Sequence, residues 1–189
     1  MLNTVYFEGD FMNKIELVLP SKEHEFETLE YKREHFNHQE YELHGSSLFD
    51  RKNSYDDWLA HLKNNSNEKT VNPHWVVSTT FLAIRKRDSK IVGMVDIRHT
   101  LNEYLTTYGG NIGYGVRPSE RNKGYATQIL KMALKYCKEL GLQKVMLACY
   151  KDNEASRKII VNCGSVLEKE FIYADGKIVQ IFWISLQMI

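Results

Sequence analysis

Between residues 113 and 130 the chain reads GYGVRPSERNKGYATQIL, and Arg121, Gly124 and Ala126 within it make the pattern R-x-x-G-x-A. Pro118 stops the strand-like residues before it and good helix formers follow, so the pattern falls on a strand-to-helix connection. Gly124 and Ala126 leave the backbone bare, so consecutive N–H groups at the helix start can face a diphosphate, with the helix dipole adding to the attraction. Arg121 and Lys123 put positive charge beside it. The same residues also suit plain capping or close packing, and the pattern alone does not separate the two readings. Other phosphate loops are excluded: no G-x-x-x-x-G-K-[ST] occurs, and Gly113 and Gly115 lie inside the strand instead of opening a G-x-G-x-x-G turn. Cys137, Cys149 and Cys163 are an odd set with no close pair, which argues against a disulfide framework and a zinc site and for a reducing compartment. His35 and His38 have the spacing of helix-borne metal ligands but no third partner, so they read as a solvated helix face and no metal is expected.

The elements that must position this connection follow from periodicity and punctuation. Lys14 to Leu19 is a short strand ended by Pro20, and Ser21 caps a stretch in which Phe26, Leu29, Tyr31 and Phe36 fit a helical stripe loosely. Ser54 and Asp57 form a capping box before Trp58, Leu59 and Leu62, a second helix. Asn64 to Asn72 is a loop, followed by strands over Trp75 to Arg87 and Lys90 to His99 with Asp88 and Ser89 at the hairpin. A less regular stretch, Thr100 to Gly110, leads into a strand over Asn111 to Arg117. A helix over Lys123 to Leu140 comes next, closed by Gly141 and apolar enough to be buried on most sides. Lys144 to Tyr150 reads as a central strand, Asn153 to Asn162 as a helix, and Asp175-Gly176 as the turn of a terminal hairpin. The order describes a mixed α/β domain with a strand-helix-strand crossover, where such folds place ligands.

The stretch from Val116 to Phe171 resembles the acetyl-CoA-binding half of the GNAT superfamily of N-acetyltransferases, whose signature is Q/R-x-x-G-x-G/A. Downstream, the family's Asn, a small residue three further on and a Gly eleven further on are matched by Asn153, Ser156 and Gly164. The N-x-x-S form is similar to the branch containing ribosomal-protein N-terminal acetyltransferases. The resemblance covers roughly Lys90 to Leu186. It implies a GNAT-type acyl-CoA acyltransferase fold: a central, mostly antiparallel sheet with a parallel splayed pair and flanking helices. It also implies acetyl-CoA as co-substrate and direct attack of an amine on the thioester. On that basis backbone groups of Tyr114 and Val116 would pair with the pantetheine amides. Arg121, Asn122, Lys123, Gly124, Tyr125, Ala126 and Thr127 would hold the diphosphate, chiefly by N–H groups, and Asn153 and Ser156 would bond the pantetheine arm. Since no covalent intermediate is implied, Cys149 reads as a small buried hydrophobe.

Two departures from the family pattern concern proton transfer. Many members carry a Tyr seven residues after the Asn as acid for the departing thiolate, and here Ile160 stands there. Several carry a Glu early on the strand before the phosphate loop, where this chain has Gly110-Asn111-Ile112. A lysine amine of pKa about 10.4 pays roughly 4 kcal/mol to lose its proton near neutrality, whereas an α-amine of pKa about 8 pays under about 1 kcal/mol. The absent base therefore tilts the expected acceptor toward peptide N-termini or small amino compounds. Glu103 is the favoured base, with Asp96 and His99 as alternatives. Tyr104 and Tyr108 line an acceptor pocket or cover the sheet edge, and His44, Ser46 and Ser47 fall where the family builds acceptor specificity. A catalytically degenerate acyl-CoA sensor is the competing expectation.

Composition agrees with one soluble domain over residues 1–189. Of 189 residues 43% are hydrophobic and 26% charged, and Lys+Arg at 25 against Asp+Glu at 24 excludes a charge-driven nucleic-acid binder. No apolar run approaches the roughly 20 residues of a membrane span, the N-terminus is acidic where a secretion signal would be basic, and a cytoplasmic location is expected. The opening MLNTVYFEGDF has no helical period and reads as an extended start or tail. The face of the terminal hairpin is a candidate homodimer surface.

Overall fold

The structure, a computed structural model, describes residues 14–187. The opening segment therefore lies outside the described residues. Strands β1 (Ile15–Val18), β2 (Ser78–Arg85), β3 (Lys90–Arg98) and β4 (Ile112–Val116) form one antiparallel sheet in that order, and β5 (Lys144–Tyr150), β6 (Val166–Ile172) and β7 (Ile178–Ser185) form a second, ordered β5-β7-β6. Helices α1 (Glu25–Asn37) and α2 (Tyr55–Asn65) precede β2, α3 (Tyr125–Glu139) joins β4 to β5, and α4 (Glu154–Asn162) follows β5. Among the described residues no helix is long and apolar enough to cross a membrane.

Both faces of the first sheet are covered, which is why β2 and β3 read as nearly unbroken apolar runs. On one face Phe81, Val95 and Ile97 pack with Ile129, Leu130, Ala133 and Leu134 of α3. On the other, Leu82, Ile84, Ile91 and Met94 pack with Tyr31 of α1 and Tyr55 and Trp58 of α2. The α3 core also takes in Val145 and Leu147 of β5 and Phe182 and Ile184 of β7, so this helix binds the two sheets into one body.

Several sequence expectations shift by physical causes that sit in side chains. Ser21 does cap, but a 3-10 turn, Lys22–His24, intervenes before α1, with the Ser21 N–H donating to His24 Nδ1 at 3.1 Å. Helix α1 buries Thr28, Tyr31 and His35 and leaves Phe26 and Leu29 exposed, so its apolar residues do not mark its inner face. His35 is accordingly no solvated residue: its Nδ1 lies 2.8 Å from Glu40 Oε2 and its ring packs on Tyr31. Strand β2 starts at Ser78 and not Trp75, because Asn72 turns the chain, its Oδ1 accepting from the His74 N–H at 2.9 Å and its carbonyl from the Trp75 N–H at 2.8 Å. The β2–β3 turn takes four residues, 86–89, since Arg85 pairs with Lys90 and grips Asp88 through two bonds of 2.8 and 2.7 Å. The irregular stretch before β4 contains a π-helical turn, Leu105–Gly109, a form that is rare and frequent at functional sites.

Candidate active site

The two sheets meet at one point and part from it. Asn111, buried at the start of β4, donates its N–H to the Met146 carbonyl (2.8 Å), accepts the Met146 N–H on Oδ1 (2.9 Å), and donates from Nδ2 to the Arg98 carbonyl (3.1 Å). An amide side chain here copies the backbone pairing that a continuous sheet would have. Beyond it β4 and β5 are edge strands of separate sheets with no ladder between them, so their facing backbone groups are left for another partner. A cleft of about 300 Å³ opens there, lined by Gly113 and Tyr114 on one bank, Ala148, Cys149 and Tyr150 on the other, and Asn153 and Ser156 at its end.

The strand-to-helix connection has the geometry its residues suggest. Asn122 (φ 60°) and Gly124 (φ 82°) are left-handed, and Gly124 is the N-cap of α3 without any side-chain cap. The first intrahelical bond runs from the Gln128 N–H to the Gly124 carbonyl at 3.2 Å, leaving the N–H groups of Tyr125, Ala126 and Thr127 without helical acceptors. An added Cβ at Gly124 would meet nothing within 4 Å, so the approach to these N–H groups is open. By contrast α2 is capped by Ser54 Oγ and α4 by Asn153 Oδ1, at 3.0 and 3.1 Å. The two neighbouring cations are otherwise engaged. Arg121 holds Glu40 through bonds of 2.6 and 2.5 Å, which keeps the Glu40 carboxyl down at about 2, and Lys123 Nζ binds the Ser119 carbonyl and Glu120 Oε2 at 2.8 and 2.9 Å. Any anion drawn to this loop would therefore meet N–H groups and the helix dipole rather than free cations, while Arg121, Glu40 and His35 tie the loop to α1.

Of the other sequence candidates, Tyr114 and Ser156 come together, their hydroxyls 3.1 Å apart, and burial pushes the Tyr114 phenol up to about 12. Val116 packs against the main core and its carbonyl receives Arg121 Nε at 3.3 Å. Asn153 has spent its Oδ1 on the cap and keeps Nδ2 for the cleft. Burial pushes the Cys149 thiol up to about 11, in keeping with an inert packing role. Ile160 is buried.

A second cavity of about 600 Å³ adjoins the cleft, bounded by the 42–51 segment, α2, β3 and the π-helical turn. The two share Glu42, His44, Tyr104, Tyr108, Ile112, Gly113 and Ala148, so anything held in one faces anything held in the other across these residues. Asp96 lines the larger cavity, but its oxygens are bound to Thr80 Oγ1 (2.9 Å) and Arg98 Nε (3.1 Å). Glu103 is exposed and lines neither cavity, and His99 lies elsewhere, with Nε2 2.8 Å from Thr79 Oγ1 and its pKa lowered by burial. The structure thus brings one of the three candidate bases to the cavities. Sequence reasoning passed over Glu42, although Gly45 and Gly115 are the signal: an added Cβ at Gly45 would sit 2.7 Å from the Gly113 carbonyl oxygen, and one at Gly115 would sit 2.6 Å from that of His44. The bare strand lets the 42–46 segment lie directly on it. Among the described residues no group of three or more His, Cys, Asp or Glu could hold a metal ion.

Residues 15–166 match the acetyltransferase (GNAT) domain family. The chain belongs to this family. A Bacillus subtilis relative named uncharacterized N-acetyltransferase YoaA is 24% identical over 98 residues, 49% of this chain and 54% of its own, so the chain spans about half the length of the curated relative it matches. The fold is shared with a ribosomal-protein-S5-alanine acetyltransferase from Vibrio fischeri (TM-score 0.68, 16% identity, 97% of each chain). It is also shared with a spermidine N-acetyltransferase chimera of Vibrio cholerae SpeG and hSSAT (TM-score 0.65, 16% identity, 93% of this chain and 98% of that one). A third member of the fold, yncA from Salmonella typhimurium, was solved with its cofactor acetyl-CoA (TM-score 0.62, 12% identity, 93% and 95% covered).

Proposed function

We infer that this chain transfers an acetyl group from acetyl-CoA directly to a primary amine of a small molecule or peptide, working as a single catalytic domain in a reducing, cytoplasmic setting. The carrying observation is the pair of unladdered edges of β4 and β5 running past Asn111, with an uncapped helix N-terminus nearby and a second cavity meeting the cleft at Gly113 and Ala148. This donor set fits the cofactor: backbone amides at a sheet edge suit an extended amide-bearing arm, as in strand addition, and free N–H groups at a helix start suit a diphosphate. Tyr114 and Val116 would offer edge groups to the arm, Asn153 Nδ2 and Ser156 would bond it from α4, and residues 121–127 would cradle the diphosphate.

Bound acetyl-CoA supplies the acyl group as a thioester, with a leaving thiol whose ordinary pKa is about 8.5. Tyr114, protonated throughout the working range, gives the cleft a hydroxyl donor on the strand side where α4 carries Ile160. The α-amines of peptide N-termini and small amino compounds fit best, since their deprotonation near neutrality is the less costly. The test is release of free CoA from acetyl-CoA with a panel of peptide N-termini, lysine peptides, polyamines, aminoglycosides and amino acids. Amine-dependent release with α-amines preferred is the expected result. Thermal stabilisation by acetyl-CoA with no release across the panel would overturn transfer and favour the sensor reading.

A further inference from the structure

Transfer to an amine needs a group that takes the amine's proton where the two cavities meet, and the ionisable side chains there are few. Asp96 is bound by Thr80 and Arg98, and His61 Nε2 is bound by Asn65 Nδ2 at 3.0 Å with Ser47 Oγ at 3.4 Å. Asp50 and Arg51 pair with one another at 3.5 Å, and Glu103 lines neither cavity. Of the residues common to both cavities only Glu42, His44, Tyr104 and Tyr108 carry ionisable side chains, and phenols are the wrong type to accept a proton near neutrality. His44 Nδ1 lies 3.7 Å from Glu42 Oε1, with both side chains open to solvent. This leaves Nε2 of the same ring for a substrate.

Their carrier segment is held rigidly. Leu43 and Ser46 are buried, the Ser46 carbonyl accepts Trp58 Nε1 at 2.8 Å, and Ser46 Oγ accepts the Phe49 N–H at 3.1 Å. Gly45 (φ 74°) packs backbone to backbone on β4. Opposite stand Tyr108 and Tyr173, whose ring centroids are 5.5 Å apart.

We propose that His44, oriented by Glu42, is the base that deprotonates the acceptor amine at the junction of the two cavities. The proposal rests on the acetyltransferase reading above. The neutral imidazole Nε2 takes one proton from the acceptor ammonium, and Glu42 stabilises the imidazolium that forms, the division of labour seen in other histidine–carboxylate pairs. The freed nitrogen lone pair forms the C–N bond to the thioester carbonyl. The C–S bond breaks with its electron pair going to sulfur, the nitrogen's second proton passes to the thiolate, and the imidazolium releases its proton to solvent. A long His–carboxylate contact without substrate is compatible with this role, as such bonds tighten in the complex. The other ionisable groups that line the two cavities with His44 are Asp50 and Arg51 beyond its own segment, His61 of α2, His74 before β2, Asp96 and Arg98 of β3, Tyr104 and Tyr108 at the π-helical turn, Tyr114 of β4, Cys149 and Tyr150 of β5, and Tyr173 after β6.

The test is steady-state CoA release at saturating acetyl-CoA, as a function of pH, for the unaltered chain, His44→Gln, Glu42→Gln, Glu42→Asp and the exposed-histidine control His38→Gln. His44→Gln is expected to lower kcat by about 10²–10⁴-fold. It should remove the acid-side inflection, leave the acceptor KM and the stabilisation by acetyl-CoA unchanged, and regain rate at high pH where the amine deprotonates unaided. Glu42→Gln should lower kcat less, with Glu42→Asp restoring most of it, and His38→Gln should match the unaltered chain. An active chain whose His44→Gln form keeps kcat and pH profile overturns the base assignment alone. A chain stabilised by acetyl-CoA that turns over no amine overturns both this proposal and the transfer reading.

Discussion

Replacing Gly45 by Ala tests whether the 42–46 segment is seated on β4 as tightly as the structure shows. At φ 74° an L-residue pays about 1–2 kcal/mol for its left-handed backbone. The new Cβ would also sit 2.7 Å from the carbonyl oxygens of Gly113 and Met94 and from Tyr114 Cα. Those atoms belong to paired strands and have nowhere to go, so relieving the overlap adds the usual overpacking cost of about 1–3 kcal/mol. Gly141 is the control, since its φ of 85° imposes the same backbone cost while an added Cβ there meets nothing within 4 Å. Gly141→Ala should therefore lose about 1–2 kcal/mol and Gly45→Ala about 2–5 kcal/mol, a sizeable share of the 5–15 kcal/mol typical of a domain. Urea unfolding at constant m-value reads both as shifts of the midpoint. Gly45→Ala should also lower turnover more than acetyl-CoA binding, because the displaced segment carries Glu42 and His44 and not the helix N-terminus. Equal midpoint shifts for the two variants would refute the backbone contact and, with it, the claim that these side chains are rigidly placed.

Glu120, almost fully buried, would have its pKa raised by burial, but Lys123 (2.9 Å), Lys90 (3.1 Å) and Arg85 (2.6 Å) prevail and hold it at about 2. Because the folded value lies below the ordinary carboxylate value, its stabilisation is complete above about pH 4.5 and lost as pH falls toward about 2. The unaltered chain should lose stability through that window more steeply than Glu120→Gln, which in turn costs up to about 3 kcal/mol at neutral pH; parallel acid limbs would contradict the assignment. Gly124→Val should abolish the thermal shift produced by acetyl-CoA, which at a hundredfold excess over Kd is worth about 2.7 kcal/mol in the unaltered chain, and a persisting shift would sink the diphosphate site. Cys149→Ala should keep turnover within a few-fold, read by CoA release, since burial holds the thiol at about 11; complete loss would point to a covalent role.

Local signals carried far along this chain. Lys144 to Tyr150 is a strand as its apolar run announces, though at the edge of its sheet and not in the expected central place, which β7 takes; Ser54 and Asn153 cap helices from the positions that their types favour, and Gly124 and Gly141 bracket α3. Each of these depends on residues within a few positions of one another, so spacing alone suffices. The open start of α3 belongs to the same kind, because a left-handed Gly before an uncapped helix is a local backbone property.

What spacing does not contain is which surfaces meet. The alternation rules allow either strand of the terminal hairpin to lie against β5, and β7 takes the central place because Val179, Ile181, Phe182 and Ile184 are buried there, while β6 leaves Val166, Leu167 and Ile172 exposed at the edge. The histidine in α1 looked solvated from its neighbours, yet it is buried because Glu40, folded back from beyond the helix, bonds it and Arg121 together across some eighty residues. Glu103 looked suited to act as a base and lies exposed outside both cavities, whereas Glu42 and His44 line both because Gly115 of β4 and Gly45 of the segment let the two backbones pass in contact. By itself the sequence determined the order and ends of most elements, the open helix start and the family. Only tertiary structure decided where the sheets part and which ionisable groups face the cleft, since both follow from contacts between segments remote in the chain.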